Sequence, residues 1–368
     1  MPRYTRRQLV ATGASAATIG AFAGCVSNES SNGGSNDAGD GSGPRAQASF
    51  FVFGDFAAAV AGDTARAETL VPIGQHGHGW EPGPQIQGTV LESDLFVSVV
   101  HGFQPWADDL VTSLRDDDAA VHIVAAGAEV DLLESEGGHD YGHDDGDGHD
   151  HGNDEEHDHE EGGEHNRSED GDDHDHEHNG SDDGDHEHDR GTADPHFWLD
   201  PVRAKRAVDA IEDGFATVDS DNADAYAANA DEFRSRLDDL DETFRSTLED
   251  AERDVVLVAG HDPFAYLENR YGFEIETLTG LTPDEQPTPA DIERAQTVID
   301  EYDLEYVCAD PLEPQDAAEQ LIAETDANEV LPLTPIAGQT QEWADEGWGY
   351  VEIMEEINLA TLERALDA

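Results

Sequence analysis

The sequence predicts an α/β protein of two lobes, each with a mostly parallel sheet flanked by helices, joined by a long rigid helix. Three observations carry this. Short apolar runs alternate with amphipathic stretches from about residue 48 to the C-terminus. One tract almost devoid of apolar residues interrupts that rhythm. Beyond it, a segment from Ser220 to Glu252 keeps helical spacing without a strong breaker.

In the first lobe, "ASFFVFG" reads as a buried strand, "DFAAAVAG" as a helix and "AETLVPIG" as a strand entering a glycine-rich loop. Then follow "PQIQGTVLESD" as helix, "LFVSVV" as strand, "QPWADDLVTSLRDD" as helix and "VHIVAAG" as strand. Ordered sequence resumes at "ADPHFWLDPVRAKRAVDAIEDGFATVD". The long helix follows, with Tyr226, Phe233, Leu237, Leu240, Phe244 and Leu248 on one face and Ser220 or Asp221 as its N-cap. The second lobe repeats the rhythm: "DVVLVAG", "FEIETLTG", "LEYVCAD" and "EVLPLTP" as strands, with "PFAYLENRYG", "TPADIERAQTVIDEYD", "EPQDAAEQLIAETD" and "GYVEIMEEINLATLERALD" as helices. The resulting divisions are residues 49–200 and 253–368 for the lobes and 201–252 for the helical connection. A ligand belongs in the crevice between the lobes, at the carboxyl ends of strands.

The ends and the charge narrow the function. Arg3, Arg6 and Arg7 precede a small apolar run from Val10 to Gly24, too short to span a bilayer as a lasting helix. The pair Arg6–Arg7 looks like a twin-arginine export address. "AFAGC" resembles a lipobox whose Cys25 takes the lipid, so residues 1–25 form the signal and 26–48 a flexible linker to the membrane. A net charge of −68 and a pI near 4.1 exclude nucleic acid as a partner, because phosphate backbones would be repelled. Lys205 is the only lysine, and the pervasive acidity resembles the surface chemistry of proteins that work in high salt. Cys308, in an apolar run, reads as a buried structural thiol.

Twelve of the 18 histidines fall in residues 137–190: His139, His143, His149, His151, His157, His159, His165, His174, His176, His178, His186 and His188. Their setting of Asp, Glu and Gly forbids a packed core, so this insertion is expected to be disordered without metal. Its repeated "HDH" and "HEH" units fit weak, exchangeable zinc sites that gather metal, while its carboxylates alone would fit a solvated loop. Six histidines remain. His78, His196 and His261 stand at strand-to-loop junctions or a lobe junction, where three imidazoles could form three corners of a zinc site; three unrelated loop histidines would show the same spacing. His76 and His101 are weaker candidates for touching metal, and His122 reads as structural.

The blocks "LVPIGQHGHGWEPGP", "DPHFWLDPVRAKRAVDAI", "NADAYAANADEF" and "GHDPFAYLENRYGFEIETLTGL" with "TPADIERA" resemble, in order, the signatures of the zinc and manganese receptors of ABC importers, above all the high-affinity zinc-uptake receptors. Such receptors often carry a histidine-rich insertion just before "DPH". The resemblance implies Zn(II) as the ligand and His78, His196 and His261 as ligands to it. Many members have aspartate where "LPLTPIAG" has Thr334, which leaves the fourth ligand open and weakens a manganese reading. Glu313 looks like an acidic position of the family, and Asp310 precedes it; either serves as an additional donor or as a group behind the ligands. The resemblance further implies a permease and its ATPase as partners, a monomeric receptor on the extracellular face of the membrane, and no enzymatic activity. The competing readings are a receptor for manganese or another divalent metal, an extracellular zinc hydrolase with Asp262 or Glu81 as base, and an adhesin or metal-buffering surface protein. The hydrolase reading lacks an HExxH pair.

Overall fold

The computed structural model describes residues 43–134, 193–281 and 285–368, which fall within one unit, Ala38–Ala368. Cys25, the signal, most of the linker and the twelve tract histidines lie outside the described residues. The first sheet contains β1 (Arg45–Ala48), β2 (Arg66–Thr69), β3 (Leu95–Ser98) and β4 (His122–Ala125), in the order β2-β1-β3-β4. The second contains β5 (Val255–Val258), β6 (Glu274–Thr277), β7 (Tyr306–Ala309) and β8 (Glu329–Pro332), in the order β6-β5-β7-β8. Every pairing is parallel, so each crossover must carry its chain back across a sheet face. In both sheets the order reverses beside the first strand, which opens a crevice at the strands' carboxyl ends.

The crossovers are α1 (Phe51–Ala61), α2 (Ile86–Leu91) and α3 (Pro105–Asp116) in the first lobe. In the second they are α6 (Ala265–Tyr271), α7 (Pro289–Tyr302) and α8 (Asp316–Glu324). Strand alternation assigns the faces: Ala46, Ala48, Leu95 and Val97 join the main core, whereas Phe96 points to the other side and packs with Val90, Leu110 and Leu114. Helix α7 starts at a capping box between Thr288 and Asp291 with Pro289 in its first turn, which satisfies otherwise orphaned backbone donors.

Between the lobes run α4 (Pro201–Val218) and α5 (Ala223–Leu248). The apolar stripe of α5 is buried at Tyr226, Phe233, Leu237, Leu240, Phe244 and Leu248. This helix packs on α1 and α4 on one side, and on α6, α10 (Tyr350–Ile353) and α11 (Ala360–Leu366) on the other. Phe56 of α1 meets both Phe233 (5.2 Å between centroids) and Tyr350 of α10 (5.1 Å). One apolar cluster is therefore continuous across both lobes, and it holds them together along with the helix. Cys308 is buried within it, and burial pushes its thiol up to about 12. Among the described residues no helix is long and apolar enough to cross a membrane.

Several elements differ from expectation. "ASFFVFG" is not a strand: β1 occupies Arg45–Ala48, at the end of the segment assigned to the linker, and Phe51 onward is the buried helix α1. A short, uniformly apolar run has no periodicity to separate strand from buried helix. Ser220 and Asp221 form a 3-10 turn, and Asn222 precedes α5 without a side-chain cap. The final helix is preceded by α9 (Gln341–Glu346) and is split by a π-helical stretch, Met354–Leu359. That stretch carries Asn358, whose Oδ1 accepts from the Thr334 N–H (2.9 Å) and whose Nδ2 donates to the Thr334 carbonyl (2.9 Å). Such bulges interrupt the helix ladder to place a side chain elsewhere.

Candidate metal centre

The loop after β2 carries His76 and His78 on either side of Gly77. Gly77 donates its N–H to the Ala337 carbonyl (2.8 Å), and Gly74 does the same to Gln339 (2.8 Å), so this first-lobe loop is stitched to the loop after β8. A Cβ at position 77 would stand 2.6 Å from the Ala337 oxygen and 2.8 Å from the Phe50 ring, so only glycine permits the approach. Buried Gln104 secures the same loop, with Nε2 donating to the Gly77 carbonyl (3.0 Å) and the Ser49 carbonyl (3.0 Å).

The "DPHFWLDP" block divides its work residue by residue. Asp194 Oδ1 accepts from the His196 backbone N–H (2.9 Å) and lies 2.8 Å from His196 Nδ1. An ionised carboxylate only accepts, so it places the proton on Nδ1 and leaves Nε2 as the nitrogen available to a metal. Trp198, fully buried, donates from Nε1 to the Pro335 carbonyl (2.7 Å), and its own carbonyl accepts from the Tyr350 hydroxyl (2.5 Å). Asp200 caps α4 by accepting from the Val202 and Arg203 N–H groups, with Pro201 in the first turn.

His261 follows β5, and Asp310 and Glu313 follow β7, its neighbour in the second sheet; these loops leave the sheet where its strand order reverses. Glu313 Oε1 lies 2.6 Å from His261 Nδ1 and 3.5 Å from His76 Nε2. Asp310 Oδ2 lies 3.7 Å from His76 Nε2.

Four imidazoles gather here. Ring centroids are 6.3 Å apart for His78–His196, 6.1 Å for His196–His261 and 5.7 Å for His76–His261. His196 and His261 are almost wholly buried. Burial and then the neighbouring His261 pull His76 down to about 3. Burial, then His196 and His261, pull His78 down to about 4. Both rings are thus neutral at ordinary pH, the state in which a ring nitrogen can bind a metal. Burial, and next to it the Glu313 charge, push the Asp310 carboxyl up to about 7. His76 Nε2, His261 Nε2, Asp310 Oδ2 and Glu313 Oε1 are buried without hydrogen-bond partners. Imidazole nitrogens backed by carboxylates suit Zn(II) better than a hard, oxygen-preferring ion.

Of the other candidates only Asp262 feels these rings, through the His196 and His261 charges. His101 is exposed and pairs with Asp108 (3.1 Å). His122 sits in β4, half-buried. Glu81 is exposed, whereas Asp262 is largely buried and its carboxyl is raised by burial and by Asp194. Thr334 is fully buried; its hydroxyl accepts from the Ile336 N–H (3.0 Å) and its side chain also faces the Asp310 carboxyl, so it is already committed. Sequence reasoning overlooked Asp194 and Gln104. A carboxylate two residues before a histidine was a readable signal for the first, while nothing local marked the second.

Residues 47–365 match the family described as ZnuA, zinc-uptake complex component A periplasmic. The chain is 28% identical over 318 residues to the high-affinity zinc uptake system protein ZnuA of Bacillus subtilis (strain 168), covering 86% of each. It is 28% identical over 322 residues to the zinc-binding lipoprotein AdcA of Streptococcus pneumoniae (strain ATCC BAA-255 / R6), which covers 86% of this chain but only 55%, about half, of that protein. Among solved structures, the Zn(II)-bound ZnuA-like domain of Streptococcus pneumoniae AdcA superposes with a TM-score of 0.65 at 23% identity, covering 89% of this chain and all of that one. The metal-dependent lipoprotein YcdH of Bacillus subtilis gives 0.64 at 24% identity, covering 88% and 99%. These structures share the fold.

Proposed function

The chain belongs to the ZnuA family of periplasmic zinc-uptake components, and on that premise we propose that it is a zinc receptor that binds Zn(II) between its lobes through His78, His196 and His261 and delivers it to an ABC importer. One observation supports the reading: three imidazoles from three separate segments stand in a row in the crevice, with neighbouring centroids 6.3 Å (His78–His196) and 6.1 Å (His196–His261) apart. Two of them are backed by carboxylates, Asp194 behind His196 and Glu313 beside His261, an arrangement that orients zinc-binding rings.

The construction supports a delivery role. Zinc enters as cargo at loops supplied by both lobes, and the continuous core behind α5 limits the closing motion to small shifts of those loops. Cys25 is the lipid attachment point on the outer face of the membrane after twin-arginine export, and the partners are a permease and its ATPase. The twelve tract histidines gather local zinc for the cleft. The protein acts as a receptor, not as an enzyme.

Calorimetric titration of zinc into the parent and into His196→Ala tests the site. Loss of the tightest binding phase in the variant is the expected result, and equal high-affinity binding by both would overturn it. Zinc-limited growth after deletion of the gene separates uptake from adhesion or simple buffering.

A further inference from the structure

We propose that the cleft holds a second zinc position beside the three-histidine one, built from His76, Glu313 and Asp310 and sharing His261 with it; the inference rests on the three-histidine reading above.

The geometry is that of ligands around a common point. Donors 2.0–2.1 Å from a tetrahedral zinc stand roughly 3.3 Å from one another. His76 Nε2 lies 3.5 Å from Glu313 Oε1 and 3.7 Å from Asp310 Oδ2. One donor atom each from His76, His261 and Glu313 lies within 4.8 Å of the others. Glu313 Oε1 and His261 Nδ1 are closer, at 2.6 Å, and a bound ion would part them slightly.

The hydrogen bonding agrees. His76 Nε2 and Asp310 Oδ2 are buried and make no hydrogen bond, and Glu313 Oε1, buried beside them, has only the close contact with His261 Nδ1. Buried polar atoms are normally satisfied, so unsatisfied lone-pair atoms converging on one point call for a cation. Side chains around them leave little freedom to turn away. Asp310 is anchored through Oδ1, which accepts from the Leu312 N–H (3.0 Å). Glu313 Oε2 lies against Gly260, where a Cβ would approach within 3.0 Å. His76 is held by the bonds of Gly74 and Gly77 to the loop after β8.

His261 belongs to both sets, 5.7 Å from His76 and 6.1 Å from His196 by centroid. A neutral imidazole has a single lone pair to offer. It therefore serves one position at a time, and the two positions are alternative stations for one ion. The second station replaces imidazoles with carboxylates, and it supplies donors on the side of the cleft where Thr334 brings none.

Full-length protein is crystallised with zinc, and anomalous difference maps at the zinc edge locate the ion. In His78→Gln/His196→Gln the expected peak lies within bonding distance of His76, His261 and Glu313. Its affinity is lowered by at least the roughly 10- to 100-fold that loss of a supporting group alone costs. Adding Glu313→Gln, which keeps the side chain's shape, removes that peak. If the double variant unfolds, His196→Gln alone carries the same comparison. No cleft peak in the histidine variants at millimolar zinc, or a peak indifferent to both Glu313→Gln and His76→Gln, would overturn the second position. A parent peak on His76 and Glu313 and not on His78 and His196 would instead overturn the three-histidine reading while leaving this one standing.

Discussion

Asp194 holds His196 twice through one oxygen, 2.8 Å from its ring Nδ1 and 2.9 Å from its backbone nitrogen. The aspartate is itself buried, and its carbonyl accepts from the Tyr266 hydroxyl at 2.6 Å. Ring tautomer and orientation are thus set before any metal arrives. Asp194→Asn keeps the shape but loses the charge and the certainty of the tautomer. Zinc affinity, measured by competition with a chelator, should fall about 10- to 100-fold. An unchanged affinity would mean that His196 does not bind the ion.

His76 and His78 should make an acid-sensitive contribution to the stability of the metal-free protein in a defined window. The folded chain holds His76 near 3 and His78 near 4, whereas an unfolded histidine titrates near 6.5. Between those limits the unfolded chain takes up protons at these two positions that the folded one refuses, so their contribution to stability falls as pH drops from about 6.5 toward 4, while the Asp310 carboxyl, raised to about 7, contributes in the opposite direction. Thermal unfolding of the metal-free protein across that range reads the effect. The parent should lose stability relative to His76→Gln/His78→Gln as pH drops through that range.

Phe233 lies where α5 meets both lobes, nearly buried and 5.2 Å from the Phe56 ring. Phe233→Ala removes a ring from the shared core and should cost about 3–5 kcal/mol. Urea unfolding is expected to remain one transition with a lower midpoint. Two separate transitions would show that the lobes' cooperation hangs on this one contact and not on the shared core as a whole.

Thr334→Val tests whether the hydroxyl matters to the metal or only to the fold. It removes the acceptor for the Ile336 N–H, and Ile336 is a β-branched residue at φ 58, a conformation that needs support from its surroundings. The variant should lose about 1–3 kcal/mol of stability, the usual cost of a buried orphaned donor. Zinc affinity in the same titration should stay at the parent's value.

Much was legible along the chain because the relevant forces are local or periodic. The alternation of strands and helices, the buried stripe from Tyr226 to Leu248 and the placing of His78, His196 and His261 in loops all follow from residue order. Where periodicity failed, so did the reading: "ASFFVFG" is apolar throughout and became α1 and its approach. His76 illustrates the remaining limit. On the chain it is one of two histidines around a glycine, and its nearness to His78 ranks it only slightly above His101. Folding buries it against His261, Asp310 and Glu313 and leaves His101 in solvent. Which donors share one point, and which imidazoles lose their affinity for protons, depends on desolvation and on charges brought together by packing across two sheets. Those distances exist only once the chain has folded.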